Sequence, residues 1–492
     1  MEFLSDGSLG TIALAILLVA LLLTFGFEFV NGFHDTANAV ATVIYTHSLT
    51  PNQAVVWSGL WNFLGVMASS GAVAFAIVAL LPLELILHVR TQAAFAMVMA
   101  LLLSAILWNV GTWYLGLPAS SSHTLIGSIV GVGLMNSLIA GQGFGEGVNW
   151  GKVEETVLAL VTSPMIGFVG AAAVLALARL LIRDPDLYRA PKGGAPPPWK
   201  IRSVLLLTCT GVSFAHGSND GQKGMGLVML ILIGLAPATY ALHLPLAPDK
   251  LSAIIVASQA AQPIFARTPS AGVIDDEVAD DDISRFLTTG TPDAGTWPAL
   301  AQKNADIAVT LGSVGSVQEL SAVERSRLRR DIYLVDDGIQ KLLKGGFVTG
   351  ADAALLNALR AAVLPLTNYI PLWVKLAVAV TLGLGTMIGW RRIVRTIGEK
   401  IGQSELTYAQ GASAELVAML TIGAADVAGL PVSTTHILSS GVAGAMFASH
   451  CKLQRATLRN IVLAWVLTLP ACMLLGSLLF AAMLYAFLRL FG

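Results

Sequence analysis

Residues 26–39 read Gly-Phe-Glu-Phe-Val-Asn-Gly-Phe-His-Asp-Thr-Ala-Asn-Ala, and they lie between segments that are apolar enough to cross a membrane. The polar side chains of this stretch are Glu28, Asn31, His34, Asp35 and Asn38. A carboxylate at bilayer depth costs at least ~2.5 kcal/mol on insertion scales, so such residues occupy protein-lined or water-lined sites and usually have a function. We therefore expect the stretch to interrupt a membrane helix and to form part of a site.

The whole chain is too apolar for a soluble globular protein. Of its 492 residues, 55% are hydrophobic and 12% are charged, whereas soluble domains carry about 25% charged residues. A net charge of −1 provides no basic surface, so we expect no nucleic-acid partner. The three cysteines have no metal-ligand spacing. The composition predicts an all-α polytopic protein whose principal environment is the lipid bilayer.

Changes in composition divide the chain into five segments. Apolar runs occupy residues 1–183, 203–245 and 367–492, and they suffice for about ten to twelve membrane segments of roughly 20 residues each. Residues 184–202 are basic and rich in Gly and Pro, which predicts a cytoplasmic linker without helix. Residues 246–366 contain acidic and basic clusters and apolar residues at helical spacing, which predicts a soluble loop insert with amphipathic helices.

The membrane segments contain an internal repeat. Aligning Gly32 with Gly217 places Asp35 on Asp220 and Asn38 on Lys223. A second shared signature is longer: residues 116–125 read Gly-Leu-Pro-Ala-Ser-Ser-Ser-His-Thr-Leu, and residues 429–438 read Gly-Leu-Pro-Val-Ser-Thr-Thr-His-Ile-Leu. Duplicated membrane units with broken helices at corresponding places are typical of secondary transporters. We expect two homologous, inverted repeats, the second of them split by the soluble insert.

The Pro-x-Ser-[Ser/Thr]-[Ser/Thr]-His signature favours anion binding. Proline is tolerated in the first turn of a helix, so the residues after it open a helix whose free N–H groups attract an anion. Successive hydroxyls add donors without adding charge. Two such helix starts could hold a tetrahedral oxyanion from both sides, whereas the alternative is ordinary N-capping. The predicted anion-binding residues are Ser120, Ser121, Ser122, Ser433, Thr434 and Thr435.

The two aspartates favour binding of a cation or a proton. Asp35 and Asp220 offer hard oxygen ligands to a small cation or metal ion, with Asn38, Asn219 or carbonyls of a broken helix completing the shell. Each could instead carry a proton. A carboxylate beside an anion needs a cation or proton to relieve the repulsion, which couples the two binding events.

Several neighbouring residues receive lesser or alternative roles. Lys223 could pair with Asp220 or contact the anion, or it could only extend its ammonium towards the membrane surface. Thr36 is assigned to the coupling group, and the residues predicted to support the site are His123, His436, Glu28 and Gln222. Glu28 ranks below the aspartates because Ser213 aligns with it.

These motifs resemble the PiT family of inorganic phosphate transporters, in particular its bacterial low-affinity members. The resemblance is carried by residues 31–46, 108–124, 216–224 and 431–436. It implies phosphate symport across the plasma membrane (the bacterial inner membrane), inverted repeats, a site between them and a homodimer. It assigns cation and phosphate roles to Asp35, Asn38 and Asp220 and to the two hydroxyl triplets.

Lys223 departs from the pattern of many family members, which have Asn at this position. A fixed ammonium there could replace a bound sodium ion, so the resemblance favours the proton-coupled branch, which takes up phosphate as a neutral divalent-metal complex. Sodium coupling and another tetrahedral anion such as sulfate remain alternatives. No cofactor is expected. An enzyme is disfavoured because the serines and histidine of residues 120–123 are chain neighbours with no activating acid evident.

Overall fold

The computed structural model describes residues 11–80, 92–141, 143, 145, 148–191, 193–267 and 274–491, with the side chains of 11–13, 36–38, 92, 237–238 and 490–491 excepted. The described chain is helical, as predicted for an all-α membrane protein. Its helices are α1 Thr11–Tyr45, α2 Pro51–Ala68, α3 Ala72–Val78, α4 Gln92–Tyr114, α5 Ser121–Ile139, α6 Trp150–Leu181, α7 Trp199–Leu235, α8 Pro237–Tyr240, α9 Pro248–Phe265, α10 Asp276–Thr289, α11 Thr296–Gly312, α12 Ala322–Lys344, α13 Gly350–Thr367, α14 Leu372–Met387, α15 Arg391–Lys400, α16 Tyr408–Val427, α17 Thr434–Ala448 and α18 Arg455–Phe491.

Five of the described helices are long and apolar enough to cross a membrane, or up to seven if each of two bent helix pairs is counted as one span. One bent pair consists of α2 and α3, which meet at 76° across a short break. The estimate of ten to twelve membrane segments stays a prediction. The long apolar helices and the bent pairs confirm a polytopic membrane protein.

The prediction that residues 26–39 interrupt the first membrane helix is wrong. Helix α1 continues through them from Thr11 to Tyr45, and α7 continues through the matching stretch from Trp199 to Leu235. Neither stretch contains proline, so every backbone N–H can keep its helical partner while polar side chains project into the protein.

The breaks fall instead before α5 and α17, at the two Gly-Leu-Pro sequences. Gly116 and Gly429 adopt φ angles of +68° and +67°, the left-handed conformation with which many helices end. Pro118 and Pro431 follow each glycine by two residues and prevent the preceding helix from continuing. The two signatures therefore fold in the same way.

The prediction that residues 184–202 contain no helix is wrong at both ends of the segment. Pro185–Tyr188 form a 3-10 turn, because the Asp184 carboxylate accepts the N–H of Asp186 at 3.0 Å. Helix α7 begins at Trp199, directly after three prolines. Proline is compatible with a helix start, so the proline run marks a boundary and does not exclude the helix after it.

The helices form two compact units. The membrane unit contains α1 from Leu18 onwards, α2 to α7 as far as Val228, and the chain from Ile370 onwards. Within it α5 packs against α18, and α17 packs against α6, so each signature helix contacts a helix of the other sequence copy. A Cβ on Gly131 of α5 would lie 2.0 Å from the carbonyl oxygen of Met473, and one on the matching Gly444 would lie 2.1 Å from that of Phe168. The inverted relation of the repeats stays a prediction.

The second unit, called the insert unit, comprises Met229–Tyr369 together with the start of α1 as far as Leu17, and it has its own hydrophobic core. The amphipathic helices predicted for the insert from its apolar spacing include α12 and α13. Arg329 of α12 is half-buried and donates to the carbonyl oxygens of Ala241 and Thr367, at 2.6 and 3.2 Å. The guanidinium thus holds together the two chain segments at which the insert begins and ends.

Candidate functional site

Asp35 lies in the middle of α1, and its carboxylate is surrounded by hydrogen-bond donors. Its Oδ1 accepts the hydroxyl of Thr435 at 2.5 Å, and its Oδ2 accepts the hydroxyl of Ser121 at 3.0 Å. The Nδ1 of His34 lies 3.1 Å from Oδ1, while the other ring nitrogen of His34 lies 3.2 Å from the Thr112 hydroxyl. Asp35 is 2% exposed, so these contacts replace its hydration. The two signature helices therefore meet at this carboxylate.

Asp220 lies in the middle of α7 and has a fixed cationic partner. The ammonium of Lys223 lies 2.9 Å from its Oδ1, and both side chains are fully buried. The Nε2 of His216 lies 3.4 Å from its Oδ2. Neither Asp35 nor Asp220 stands at a helix start, so neither acts as a helix N-cap. The buried ammonium likewise excludes the alternative in which Lys223 reaches the membrane surface.

The hydroxyl of Ser121 connects the two aspartates. It lies 3.0 Å from Oδ2 of Asp35, 3.4 Å from Oδ2 of Asp220 and 3.5 Å from the ammonium of Lys223. A serine hydroxyl has one proton, so it can donate to only one carboxylate at a time. With two carboxylates and one ammonium, the cluster favours a further cation or proton.

The matched hydroxyls of the two triplets have different partners. Ser120 and Ser433 are N-caps, which accept the N–H groups of His123 and His436 at 3.2 Å. Ser122 donates to the carbonyl oxygen of Val432 at 2.7 Å, which joins the first helix start to the second break. The buried hydroxyl of Thr434 has no hydrogen-bond partner among the described residues. Ser121 and Thr435 are the members that reach Asp35, although they are not at matching positions.

The two signature histidines meet each other. The ring centroids of His123 and His436 are 4.6 Å apart, and His436 stacks on Trp465 with a centroid distance of 4.0 Å. The indole N–H of Trp465 donates to the carbonyl oxygen of Pro118 at 3.0 Å. These contacts hold both breaks against α18. They give the histidines a structural environment beside the aspartate cluster.

The other residues named from the sequence are distributed around this cluster. Asn219 donates to the carbonyl oxygen of Leu430 at 3.1 Å and thereby supports the second break. Gln222 is turned away: its amide donates to Asp426 at 2.5 Å, and its oxygen accepts the N–H of Val73 at 2.9 Å. Glu28 is fully buried on α1. The side chains of Thr36 and Asn38 lie outside the described residues.

Sequence reasoning missed His216 as a site residue. The Nδ1 of His216 lies 2.8 Å from Oδ1 of Asn62, which orients the ring so that Nε2 faces Asp220. One donor atom from each of Asp35, His216 and Asp220 lies within 4.8 Å of the others, a grouping that could hold a metal ion. Two carboxylates and one imidazole fit a divalent cation. The available signal was that His216 aligns with the polar Asn31 of the first copy.

Asp426, on α16, was also missed. It accepts the hydroxyl of Ser218 at 2.6 Å and the amide of Gln222, so two consecutive turns of α7 depend on one carboxylate. Its position before the second Gly-Leu-Pro gave no signal, because the matching residue of the first copy is Trp113. It positions α7 beside the break.

Paired helix breaks, long membrane helices and buried carboxylates contacted by hydroxyls define a membrane transporter. The chain belongs to the phosphate transporter family, whose model matches residues 31–192 and 189–476. It is 42% identical over 482 residues to the low-affinity inorganic phosphate transporter PitA of Escherichia coli K12, covering 94% of this chain and 95% of that protein. Identity to PitB of the same strain is 41% over 483 residues.

A low-affinity inorganic phosphate transporter of Buchnera aphidicola from Acyrthosiphon pisum is 39% identical over 475 residues. One solved structure, described as the sodium-dependent phosphate transporter, matches with a TM-score of 0.53 and 20% identity, covering 97% of this chain and 100% of that chain. At this identity the match shows the shared fold alone. The resemblance to the PiT family is thus confirmed. The chain is a phosphate transporter and not an enzyme, and it is a multi-pass protein of the bacterial inner membrane.

Proposed function

We propose that this transporter imports inorganic phosphate by symport with protons. The observation that carries the proposal is the buried ion pair of Lys223 and Asp220, in which the two charged atoms are 2.9 Å apart. An ammonium in this place already neutralises one of the two aspartates. A sodium ion beside Asp220 would meet the like charge of the ammonium. Asp35 is therefore the aspartate available to a mobile cation or proton.

The phosphate-binding role falls to the two helix starts. Ser121, Ser122, Thr434 and Thr435 provide hydroxyls at the N-termini of α5 and α17, where free backbone N–H groups and the helix dipoles favour an anion. Ser120 and Ser433 hold these ends in shape as caps. The ammonium of Lys223 supplies positive charge, and we assign Asn38 to the same group from the sequence motif.

The aspartates couple the anion to a cation. A phosphate bound next to Asp35 and Asp220 meets their negative charge unless a proton or cation is present, so each binding event favours the other. Asp35, Asp220 and Asn219 form this coupling group, together with Thr36 by its place in the motif. A protonated phosphate can donate hydrogen bonds to a carboxylate, which sulfate at the same pH does not.

The proposal includes phosphate entering with a divalent metal as a neutral complex. The grouping of Asp35, His216 and Asp220 supports it by ligand type, whereas the ammonium of Lys223 opposes a cation beside Asp220. The carboxylate of Asp35, which has no lysine or arginine ion pair among the described residues, favours sodium coupling as the second candidate. The homodimer implied by the family resemblance stays a prediction.

The test is uptake of labelled phosphate by the purified protein in liposomes, under an imposed proton gradient and then a sodium gradient, with and without magnesium. Uptake driven by the proton gradient in the absence of sodium supports the proposal. Uptake that requires sodium contradicts proton coupling and the interpretation of Lys223. Labelled sulfate serves as the control substrate, and we expect it not to accumulate.

A further inference from the structure

Glu28 and Asn31, one turn apart on α1, form a buried polar group that the site described above does not use. Both side chains are 0% exposed. Neither carboxylate oxygen of Glu28 and neither amide atom of Asn31 has a hydrogen-bond partner within normal geometry among the described residues. An unpartnered buried polar atom costs about 1–3 kcal/mol. Four such atoms in one place indicate that something binds there.

The surroundings of Glu28 decide what that is. The carboxyl packs directly on Gly224 of α7, where an added Cβ would lie 2.5 Å from its Oε1. The charged groups that act on Glu28 are the ammonium of Lys223 and the carboxylate of Asp220, both from α7, and the polar groups facing it are the Asn31 amide and the Gly224 N–H. The ammonium is directed to Asp220, at 2.9 Å, so no cation neutralises Glu28 in this arrangement.

A buried carboxylate without a cation and without a hydrogen bond of normal geometry is strongly disfavoured, and the neutral acid is the form that such surroundings stabilise. Glu28 therefore holds a proton in this arrangement. The protonated carboxyl can donate a hydrogen bond to the amide oxygen of Asn31, which would satisfy both groups after a small rotation.

The internal repeat supports a joint role for Glu28 and Lys223. In the aligned stretches 28–39 and 213–224, the first copy has an acid where the second has Ser213, and the second has a base where the first has Asn38. These two departures, opposite in charge, meet next to each other in the folded protein. A duplicated unit thus acquired one acid and one base at a single location.

We propose that the carboxyl of Glu28 binds a proton of the symport in addition to the coupling group around Asp35, with Asn31 as its hydrogen-bond partner and Lys223 as the group that responds to its charge. The inference rests on the proton coupling proposed above. When Glu28 carries the proton, Lys223 neutralises Asp220, and the site accepts phosphate. When the O–H bond breaks and the proton passes to water, the new carboxylate attracts the ammonium, which remains protonated. Asp220 is then uncompensated and repels phosphate.

The decisive variant is Glu28→Gln, which imitates the protonated acid and cannot release a proton. We expect phosphate exchange between the two sides of the liposome to stay within about twofold of the unmodified protein. Accumulation driven by a proton gradient should fall by about tenfold or more, the size of a typical coupling between sites. Glu155→Gln is the matched control, because Glu155 is a half-exposed carboxylate of α6 paired with Lys152 at 3.3 Å.

The outcomes separate this inference from the proposed function. If the unmodified protein ignores the proton gradient, the proposed proton coupling is wrong. If the unmodified protein responds and Glu28→Gln accumulates phosphate equally well, or if well-folded Glu28→Gln also loses exchange, the assignment of Glu28 is overturned. Should Glu28→Gln fail to reach the membrane, Glu28→Asp decides: a shifted pH midpoint of uptake supports the assignment, and an unchanged pH profile overturns it.

Discussion

The membrane unit and the insert each contain a fully buried lysine, Lys223 and Lys303 respectively. The two lysines differ in the number of carboxylates that contact the ammonium. The ammonium of Lys303 forms ion pairs with three carboxylates, at 2.5 Å from Asp276, 2.5 Å from Asp280 and 3.2 Å from Asp331. Lys223 has one carboxylate, a distant serine hydroxyl at 3.5 Å and an unpartnered acid nearby.

This difference distinguishes the structural charge cluster around Lys303 from the proposed transport site around Lys223. In the insert, Arg327 and Arg330 of α12 complete the cluster by pairing with Asp276 and Asp280, so positive and negative groups are matched on three helices. Around Lys223 the negative groups exceed the positive ones. Buried charge without full compensation is costly. Its presence beside hydroxyls and a helix break is consistent with the coupling to a proton or cation proposed above.

The largest effect is expected from removing one charge of the membrane site. Asp35→Asn or Asp220→Asn should reduce phosphate uptake in liposomes by about 10- to 150-fold, because a hydrogen bond to a charged group contributes about 1.5–3 kcal/mol. The substitution at Asp35 would leave one acceptor oxygen, where Thr435 and Ser121 now donate to two. The exposed Asp249→Asn is the control. Full uptake by both site variants would contradict the assignment of the site.

Lys303→Met tests the comparison from the side of the insert. Removing the ammonium leaves the buried Asp331 without an ion-pair partner and leaves Asp276 and Asp280 with their arginines alone, so the insert should lose about 3–5 kcal/mol of stability. Hydrogen exchange of α10, α11 and α12 would report this loss. Phosphate uptake per correctly inserted molecule should stay close to that of the unmodified protein, with exposed Lys250→Met as control. A protected insert after the substitution would show that the cluster is not structural.

Lys223→Asn restores the residue found at the matching position of the first copy. Asp220 would then lack its cation, and uptake without sodium should fall by about tenfold, within the range of site couplings. Sodium should recover part of the uptake, because it can take the place of the ammonium. Phosphate uptake by the variant, measured at increasing sodium concentrations, would report this recovery. Sodium-independent uptake at the original rate would remove Lys223 from the mechanism.

The sequence was sufficient for the membrane class, the family and the residue types of the site, because intramembrane aspartates and two copies of one signature are rare in any other context. It was not sufficient for the geometry. Ser121 and Thr435 occupy different places in their triplets, yet both reach Asp35. His216 and Asp426 belong to the site only because α7 packs beside α2 and α16 in the folded protein. Which side chains meet depends on how each helix is rotated and packed, and the hydrophobic pattern of the sequence does not determine helix rotation to within one residue.

The smallest effect concerns the pH dependence of the insert. Burial, with a contribution from Asp276, raises the pKa of Asp331 to about 6, despite the opposing effect of Lys303. The native insert then binds this proton more tightly than the unfolded chain does, so its stability falls as the pH rises from about 4 through 6 and is level above that. Asp331→Asn should remove this component, which is on the order of 1 kcal/mol between pH 5 and pH 8, without loss of fold, because Lys303 keeps two carboxylates. Denaturation monitored by hydrogen exchange at pH 5 and pH 8 would measure it. An equal pH dependence in the variant would mean that the charge of Asp331 is paired with cations as fully as that of Asp276. The charge cluster of the insert would then differ even more from the surroundings of Lys223.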